Sequence, residues 1–493
     1  MNSNEVLTVA PSPESVGIDS RAVLRFIERL ERDHICIHGF LIIRHGRIAA
    51  EGYWKPYTAD RLHRMYSTSK SFVSLAVGLM ADEGKLSLSD PVIRYFPDLL
   101  PDNVHPYVAQ TTIRDLLMMA TANSANSYTK DDRNWAWTFF NMQPSHPPGS
   151  LFSYDTAATV VLNTIVERVS GMPFLEYMRP RLLDPIGFSK DAWCIQTPEG
   201  TSWGGSGVLC TLRDMAKVVF VCMNGGRWGD RQLISRDYIA AATSKQIDNS
   251  RIHGRHGYGY QIWCEKNNGF SFRGMGSQLA YCMPDRDFLF ACIADTQGNG
   301  PTGTGIVDAM WQELYEPLSD APLPENPETL CLLKKKIGSL AFVPPEGNTT
   351  SPAAQKIHGV QYLMADNPMG ITRMRFTFDG SEGLWEYTNA QGDNRLPFGL
   401  GRYIAGKFPQ RNYFGRRIGT VPGIQYDCLA SAAWVEPHKL NLLVYITDIY
   451  LGTLKVSVAF MDNEIAVHMT KVAEWFLDEY QGFAGGTMTG VES

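Results

Sequence analysis

The sequence predicts an α+β protein. Its parts are an antiparallel sheet flanked by helices and assembled from distant pieces of chain, a helical lobe inserted between those pieces, and a β-rich, barrel-like C-terminal domain. Three observations predict it. First, β-like runs surround a glycine turn at His45-Gly46 in "ICIHGFLIIRHGRIAAEGYW". Second, strand character returns only much later, in "GYGYQIW", "FSFRGMGSQLAYCMP" and "DFLFACIAD", with mostly helical and loop-rich chain over roughly 85–240 in between. Third, the last third of the chain alternates apolar and polar residues with a period of two, the mark of half-buried antiparallel strands.

The elements follow in order. Val23, Leu24, Ile27 and Leu30 recur at helical spacing between Asp19 and His34, with Asp19 or Ser20 as the cap. The two runs around His45-Gly46 predict a hairpin. A helix starts near Ser69, with Phe72, Leu75, Ala76 and Leu79 on one face, and stops near Gly84. Within the middle region "RDLLMMA", "TVVLNTIVERVSG" and "LRDMAKVVFVCMNGG" are the clearest helices, and "GIVDAMWQELYEPL" follows the returning strands. Proline, charge and small polar residues mark 321–356 as a linker, with "PETLCLLKKKIGSL" as a short helix inside it. Beyond it Met374, Phe376 and Phe378 alternate with polar neighbours before an Asp379-Gly380 turn. Leu440, Leu442, Val444 and Ile446, then Leu454, Val456, Val458 and Phe460, do the same. A helix near "KVAEWFLDEYQ" is expected to close this sheet. The domain boundaries are therefore 1–320, 321–356 and 357–493.

Composition narrows the function. The chain has 493 residues, 44% hydrophobic and 19% charged, with a net charge of −6. That charge offers no basic footprint for nucleic acid and no polybasic patch for a membrane surface, so a small-molecule partner is expected. The start, "MNSNEVLTVAPSPES", lacks a basic region followed by an apolar one, and no apolar run reaches the length of a membrane span. Nine cysteines without paired spacing read as reduced thiols, so a cytoplasmic location is expected. The eleven histidines form no metal-binding pattern, and His253 and His256 sit in a polar stretch that reads as a solvated loop. No metal or other cofactor is expected.

Three stretches carry chemistry. In "RMYSTSKSFVSLAVGLM", Ser67 and Lys70 are one helical turn apart and share a face. A serine is a poor nucleophile until its proton is taken. A lysine takes it only when its pKa, roughly 10.4 in water, is lowered by burial or a positive dipole. A helix start in a cleft supplies both. The same four residues also suit an ordinary capped helix, and about two S-x-x-K matches are expected by chance in this length. In "HPPGSLFSYDTAATVV", Tyr154 lies in a tight polar loop before a helix, where a phenol can serve as acid and base or simply pack. In "FSFRGMGSQLAY", the Gly274 opening lets a substrate lie against a strand edge, or marks a bulge. The Met275 amide would then join that of Ser67 to polarise a carbonyl.

Together and in this order, these stretches resemble the serine β-lactamase and penicillin-binding-protein superfamily, in its class C-like branch. That branch includes D-aminopeptidases, family VIII carboxylesterases and 6-aminohexanoate oligomer hydrolases. The resemblance covers about residues 12–320 and includes "PESVGID", "STSKSFVSLAVGLMADEGKLSLSDPVIRYFPDL", "PPGSLFSYDT", "GGSGVLCTLRDMAKV" and "GMGSQLAYCMPDRD". It implies a β-lactamase-like fold, with Ser67 as acyl acceptor, Lys70 as base or proton shuttle and Tyr154 as the proton donor to the leaving group. The oxyanion hole would be the amides of Ser67 and Met275. The β-rich C-terminal domain resembles small modules appended to some relatives, where they cover or restrict the cleft.

Three departures refine the expectation. The family's Y-x-N is Y-D-T, with Thr156 in place of the asparagine that contacts substrate. Threonine hydrogen-bonds but reaches less far. Phe272 stands where β-lactam-recognising members carry a cation, and alternation turns Arg273 to the opposite face. "MATAN", near Met119, replaces an H-T-S-G block at a position read as structural. Loss of the cation argues against a β-lactamase or DD-carboxypeptidase and favours an uncharged or hydrophobic substrate. Phe272, Gly274 and Thr156 are thus the expected substrate-binding residues. Trp135, Trp137, Phe139 and Phe140 read as lobe core, with a pocket wall as the other reading. The expected activity is amide or ester hydrolysis by a serine hydrolase. The alternative is a non-catalytic binding or assembly protein that keeps the fold.

Overall fold

The computed structural model describes residues 6–250, 256–298 and 305–489. The chain divides into two units, the first Met1–Thr296, Pro301–Leu340 and Arg416–Thr420, the second Gln297–Gly300, Ala341–Gly415 and Val421–Ser493.

The first unit is built on a seven-stranded sheet. Its strands are β1 (Thr8–Val9), β2 (Ile37–Arg44), β3 (Arg47–Tyr53), β7 (Trp263–Cys264), β8 (Phe270–Gly274), β9 (Gln278–Met283) and β10 (Phe288–Ala294), in spatial order β1-β3-β2-β10-β9-β8-β7. The distant pieces meet where β2 pairs with β10, with Phe40 opposite Cys292. The β2–β3 hairpin turns through His45 and Gly46 at φ of 52° and 68°. Two consecutive left-handed residues suit the right-handed twist of paired strands. Helix α1 (Ser20–Arg32) is capped by Asp19, whose carboxylate accepts from the Arg21 amide at 2.8 Å. Its buried face of Val23, Phe26, Ile27 and Leu30 joins Phe40 and Phe290 in one core. Each such side chain contributes about 1.5–3 kcal/mol by burial.

A second, three-stranded sheet has the order β4-β6-β5, from β4 (His63–Arg64), β5 (Trp193–Cys194) and β6 (Val208–Cys210). β4 leads straight into Ser67 and α2 (Ser69–Asp82), which is buried from Ser69 to Met80. The other expected helices form as α4 (Thr156–Ser170), α5 (Leu212–Met223) and the short Ile113–Leu117. The aromatic insertion becomes α3 (Trp135–Asn141), with Trp135, Phe139 and Phe140 in the core and only Trp137 exposed.

The stretch read as linker contains α6 (Pro327–Gly338), and its Leu333, with Leu340 just beyond, joins the core beneath α1. Lys336 pairs with Glu31 of α1 at 2.5 Å. Two apolar anchors and an ion pair therefore tie 327–340 to the first unit, so the chain between Asp320 and Leu340 is not a free connection. His253 lies outside the described residues, while His256 is exposed.

The second unit is a closed barrel. Its strands are β11 (Gln361–Met364), β12 (Arg373–Asp379), β13 (Glu382–Asn389), β14 (Gly392–Leu400), β15 (Ile404–Lys407), β16 (Asp427–Glu436), β17 (Lys439–Thr447), β18 (Leu451–Met461), β19 (Glu464–Ala473) and β20 (Gly482–Met488). They run in order β14-β13-β12-β11-β20-β19-β18-β17-β16-β15, and a β14–β16 pairing at Gly399–Ser431 closes the ring. Met374 and Phe376, Leu440 to Ile446, and Leu454 to Val458 turn their alternate side chains inward as their period predicts. The expected helix near 471–481 is absent. Lys471–Ala473 ends β19, and Trp475 and Leu477 take φ of 60° and 61°, which a helix excludes. Leu477 and Tyr480 are instead buried, and the Tyr480 hydroxyl meets that of Tyr387 at 2.6 Å.

Among the described residues no helix is long and apolar enough to cross a membrane.

Candidate active site

Ser67 sits in a single 3-10 turn, Tyr66–Thr68, between β4 and α2. The turn is forced by its flanks. Tyr66 takes a left-handed φ of 47°, costing about 1–3 kcal/mol for a bulky residue, and its ring is buried under the Arg64 guanidinium at 4.1 Å. Three ties hold the corner. The Met65 amide donates to Val208 O at 2.8 Å, the Val208 amide to Ser69 Oγ at 3.0 Å, and Thr68 Oγ1 to Gln278 O at 3.0 Å.

Lys70 lies one turn on, 1% exposed. Its Nζ donates to Ser67 Oγ at 3.0 Å and to Gly205 O at 2.7 Å. It also lies 5.1 Å from the centre of the Tyr154 ring. Residue 205 must be glycine, because a β-carbon there would stand 2.6 Å from Thr156 Cγ2. The carbonyl that orients Lys70 is thus wedged against the first residue of α4. Thr156 stands partly exposed beside it.

Tyr154 precedes α4 and is partly exposed. Burial of its hydroxyl pushes its pKa up to about 12, against which a hydrogen bond with Ser67 works. The ring stacks on Trp263 at 5.4 Å and meets Tyr258 edge-on at 6.4 Å, while Phe152 touches both of those rings. Tyr258 and Trp263 arrive from a stretch that the sequence marks only as a strand. Its aromatic density, "YGYQIW", is the signal that points to this box.

The remaining expected residues lie on β8 or directly after it. Met275 is 38% exposed at the end of β8, with its carbonyl held by Gln278 Nε2 at 2.9 Å. Gly274 has a structural reason: a β-carbon at 274 would lie 2.3 Å from Met65 O. The glycine admits the Met65 carbonyl just before the Ser67 turn. Phe272 is fully buried, so its side chain presents no surface to a bound molecule. Arg273 pairs with Glu265 at 2.6 Å and lies over the Tyr281 ring at 4.7 Å, which engages it on its own face of the sheet. No group of three or more His, Cys, Asp or Glu side chains among the described residues is placed to hold a metal.

Asp155 is the residue the sequence reading passed over. It is 0% exposed and caps α4, its Oδ1 accepting from the Ala157 amide at 2.8 Å, an amide that also reaches Asn126 Oδ1 at 3.0 Å.

A 6-aminohexanoate-dimer hydrolase from Paenarthrobacter ureafaciens is 26% identical over 275 residues, 50% of this chain and 69% of that protein. A β-lactamase from Yersinia enterocolitica is 26% identical over 220 residues, 42% of this chain and 51% of that protein. Among solved structures, a penicillin-binding-protein homologue from Caulobacter crescentus superposes with a TM-score of 0.50 at 18% identity, covering 62% of this chain and 99% of that one. That last likeness speaks for the fold alone. The family model described as Beta-lactamase matches residues 28–315, more than half of the sequence, and the chain belongs to that family.

Proposed function

We propose that the protein is a serine hydrolase that cleaves an amide or ester of a small, uncharged or hydrophobic substrate through an acyl-enzyme on Ser67. The observation that carries this reading is the Lys70 Nζ–Ser67 Oγ contact of 3.0 Å made by a lysine with almost no exposed surface. Burial disfavours an ammonium, so this is the position in which an amine serves as a base. The likeness to a named hydrolase over half the chain supports the same reaction class.

In the proposed sequence, Lys70 as free amine takes the Ser67 proton while Oγ attacks the substrate carbonyl. The oxygen that becomes negative lies between the amides of Ser67 and Met275. Collapse of the tetrahedral species breaks the bond to the leaving group. Tyr154 passes that group a proton and regains one from the Lys70 ammonium. Water then repeats the steps with the acyl group as acceptor. A phenol near pKa 12 stays protonated at neutral pH, which suits a donor that hands on a proton without resting as phenolate.

Arg273 is held by Glu265, and Phe272 supplies no charge, so no cation on this strand is offered to a substrate carboxylate. This favours an uncharged substrate over a β-lactam. The nine free thiols suit a reducing compartment, and we place the protein in the cytoplasm.

The test is turnover of matched p-nitrophenyl esters, p-nitroanilides and β-lactams by wild type and Ser67→Ala. Turnover of an ester or anilide that the variant loses is expected. A well-folded wild type inert to every substrate would favour the binding-protein reading.

A further inference from the structure

Asp155 is buried and has no part in the scheme above; its chain neighbours are Tyr154, whose ring centre lies 5.1 Å from Lys70 Nζ, and Thr156, which abuts Gly205. One carboxylate oxygen caps α4, accepting from the Ala157 amide at 2.8 Å. The other, Oδ2, is buried without a hydrogen-bond partner. A helix cap needs one acceptor oxygen, which serine, threonine or asparagine supplies at lower desolvation cost. A carboxylate with an idle buried oxygen costs stability unless a positive charge faces it.

Lys70 of α2 supplies such a charge when protonated, and its field then acts on Asp155. The Ala157 and Ala158 amides of α4 also act on the carboxylate, while the Asp155 backbone amide donates to the Met119 thioether at 3.3 Å. The link is also steric, because Lys70 Nζ is held by Gly205 O and Gly205 abuts Thr156, the residue after Asp155.

We propose that Asp155 is a positioning residue that sets the charge of Lys70, favouring the ammonium when ionised and the free amine when protonated. The inference rests on the reading of Ser67 and Lys70 given above. The two groups titrate as a pair, so each one's proton affinity depends on the other's charge. Burial supports the coupling from the other side. It pushes the Asp155 carboxyl up to about 7, despite the cap amides and Lys70, so its charge changes in the neutral range.

The experiment is the rate at which a fluorophosphonate labels Ser67, followed by intact-protein mass from pH 5 to 10, in wild type, Asp155→Asn and Asp155→Ser. Both replacements keep a cap acceptor, and circular dichroism checks the fold. The rate is expected to rise with pH as Lys70 loses its proton. In both variants that rise should move to lower pH by about one unit or more, the size of a neighbouring opposite charge. A capping role alone would change the melting temperature and leave the pH of the rise where it was. Wild-type labelling with an unmoved or upward-moved rise in a folded variant overturns the inference and leaves the Ser67 reading intact. Absence of wild-type labelling overturns that reading and the inference with it.

Discussion

The carbonyl oxygen of Met65 occupies the space that a β-carbon on residue 274 would need, 2.3 Å away. One glycine therefore decides how closely strand β8 approaches the turn that presents Ser67. Met275, whose amide is proposed for the oxyanion hole, follows directly, so this contact sets the gap between the two donors.

Gly274→Ala should separate them. Overpacking a backbone contact of this kind costs about 1–3 kcal/mol, and a misplacement near 1 Å in a reacting site costs up to about 100-fold. Labelling of Ser67 by a fluorophosphonate should slow about 10- to 100-fold while the variant still melts cooperatively. An unchanged rate would mean that the Met65 contact does not hold the site.

Tyr154→Phe removes a hydroxyl and keeps the ring that stacks on Trp263 at 5.4 Å. Amide leaving groups require a proton and aryl esters scarcely do. Anilide turnover should fall about 10²- to 10⁴-fold, with ester turnover falling much less. Equal losses on both substrates would remove Tyr154 as donor to the leaving group.

The first unit should weaken in mild acid through two buried histidines. His63 Nδ1 lies 3.0 Å from Arg64 O and must donate to it, so its Nε2 accepts from His38 Nδ1 at 2.8 Å. This leaves His38 Nε2 as acceptor for the Cys36 thiol at 3.6 Å. Neither ring has room for a second proton without breaking the chain. Burial lowers His63 to about 4, and burial first, then the His63 and Arg61 charges, lowers His38 well below its usual value. Between the unfolded value near 6.5 and the folded value near 4, the unfolded chain binds a proton that the folded one refuses. Stability is therefore full above pH 6.5 and falls as pH drops toward 4. At about 1.4 kcal/mol per unit, His63 alone accounts for about 3 kcal/mol. Urea unfolding at pH 7.5, 6 and 5 should show this loss, and His63→Gln should flatten it. An equally steep loss in the variant would contradict the assignment.

Much of the fold was legible because it depends on local periodicity. The apolar spacing of α1, the His45-Gly46 turn and the alternation of Leu440 to Ile446 each fix an element without reference to the rest of the chain. The pair Ser67 and Lys70 was legible for the same reason, as one helical turn joins them. What escaped depends on partners far away in sequence. Leu333 is a core residue because α1 packs over it, and Leu477 is buried at a left-handed φ of 61° in place of extending a helix. Phe272 reads as a substrate wall, but the fold buries it completely. Gly274 meets the carbonyl of Met65, more than 200 positions earlier, and Asp155 reads as a plain cap until its second oxygen is seen to be buried without a hydrogen-bond partner.

The most direct test of the central claim is intact-protein mass after exposure to a fluorophosphonate, for wild type and Ser67→Ala. The account predicts one adduct per wild-type chain and none on the variant. An unlabelled, well-folded wild type, or an adduct that persists in Ser67→Ala, would contradict it.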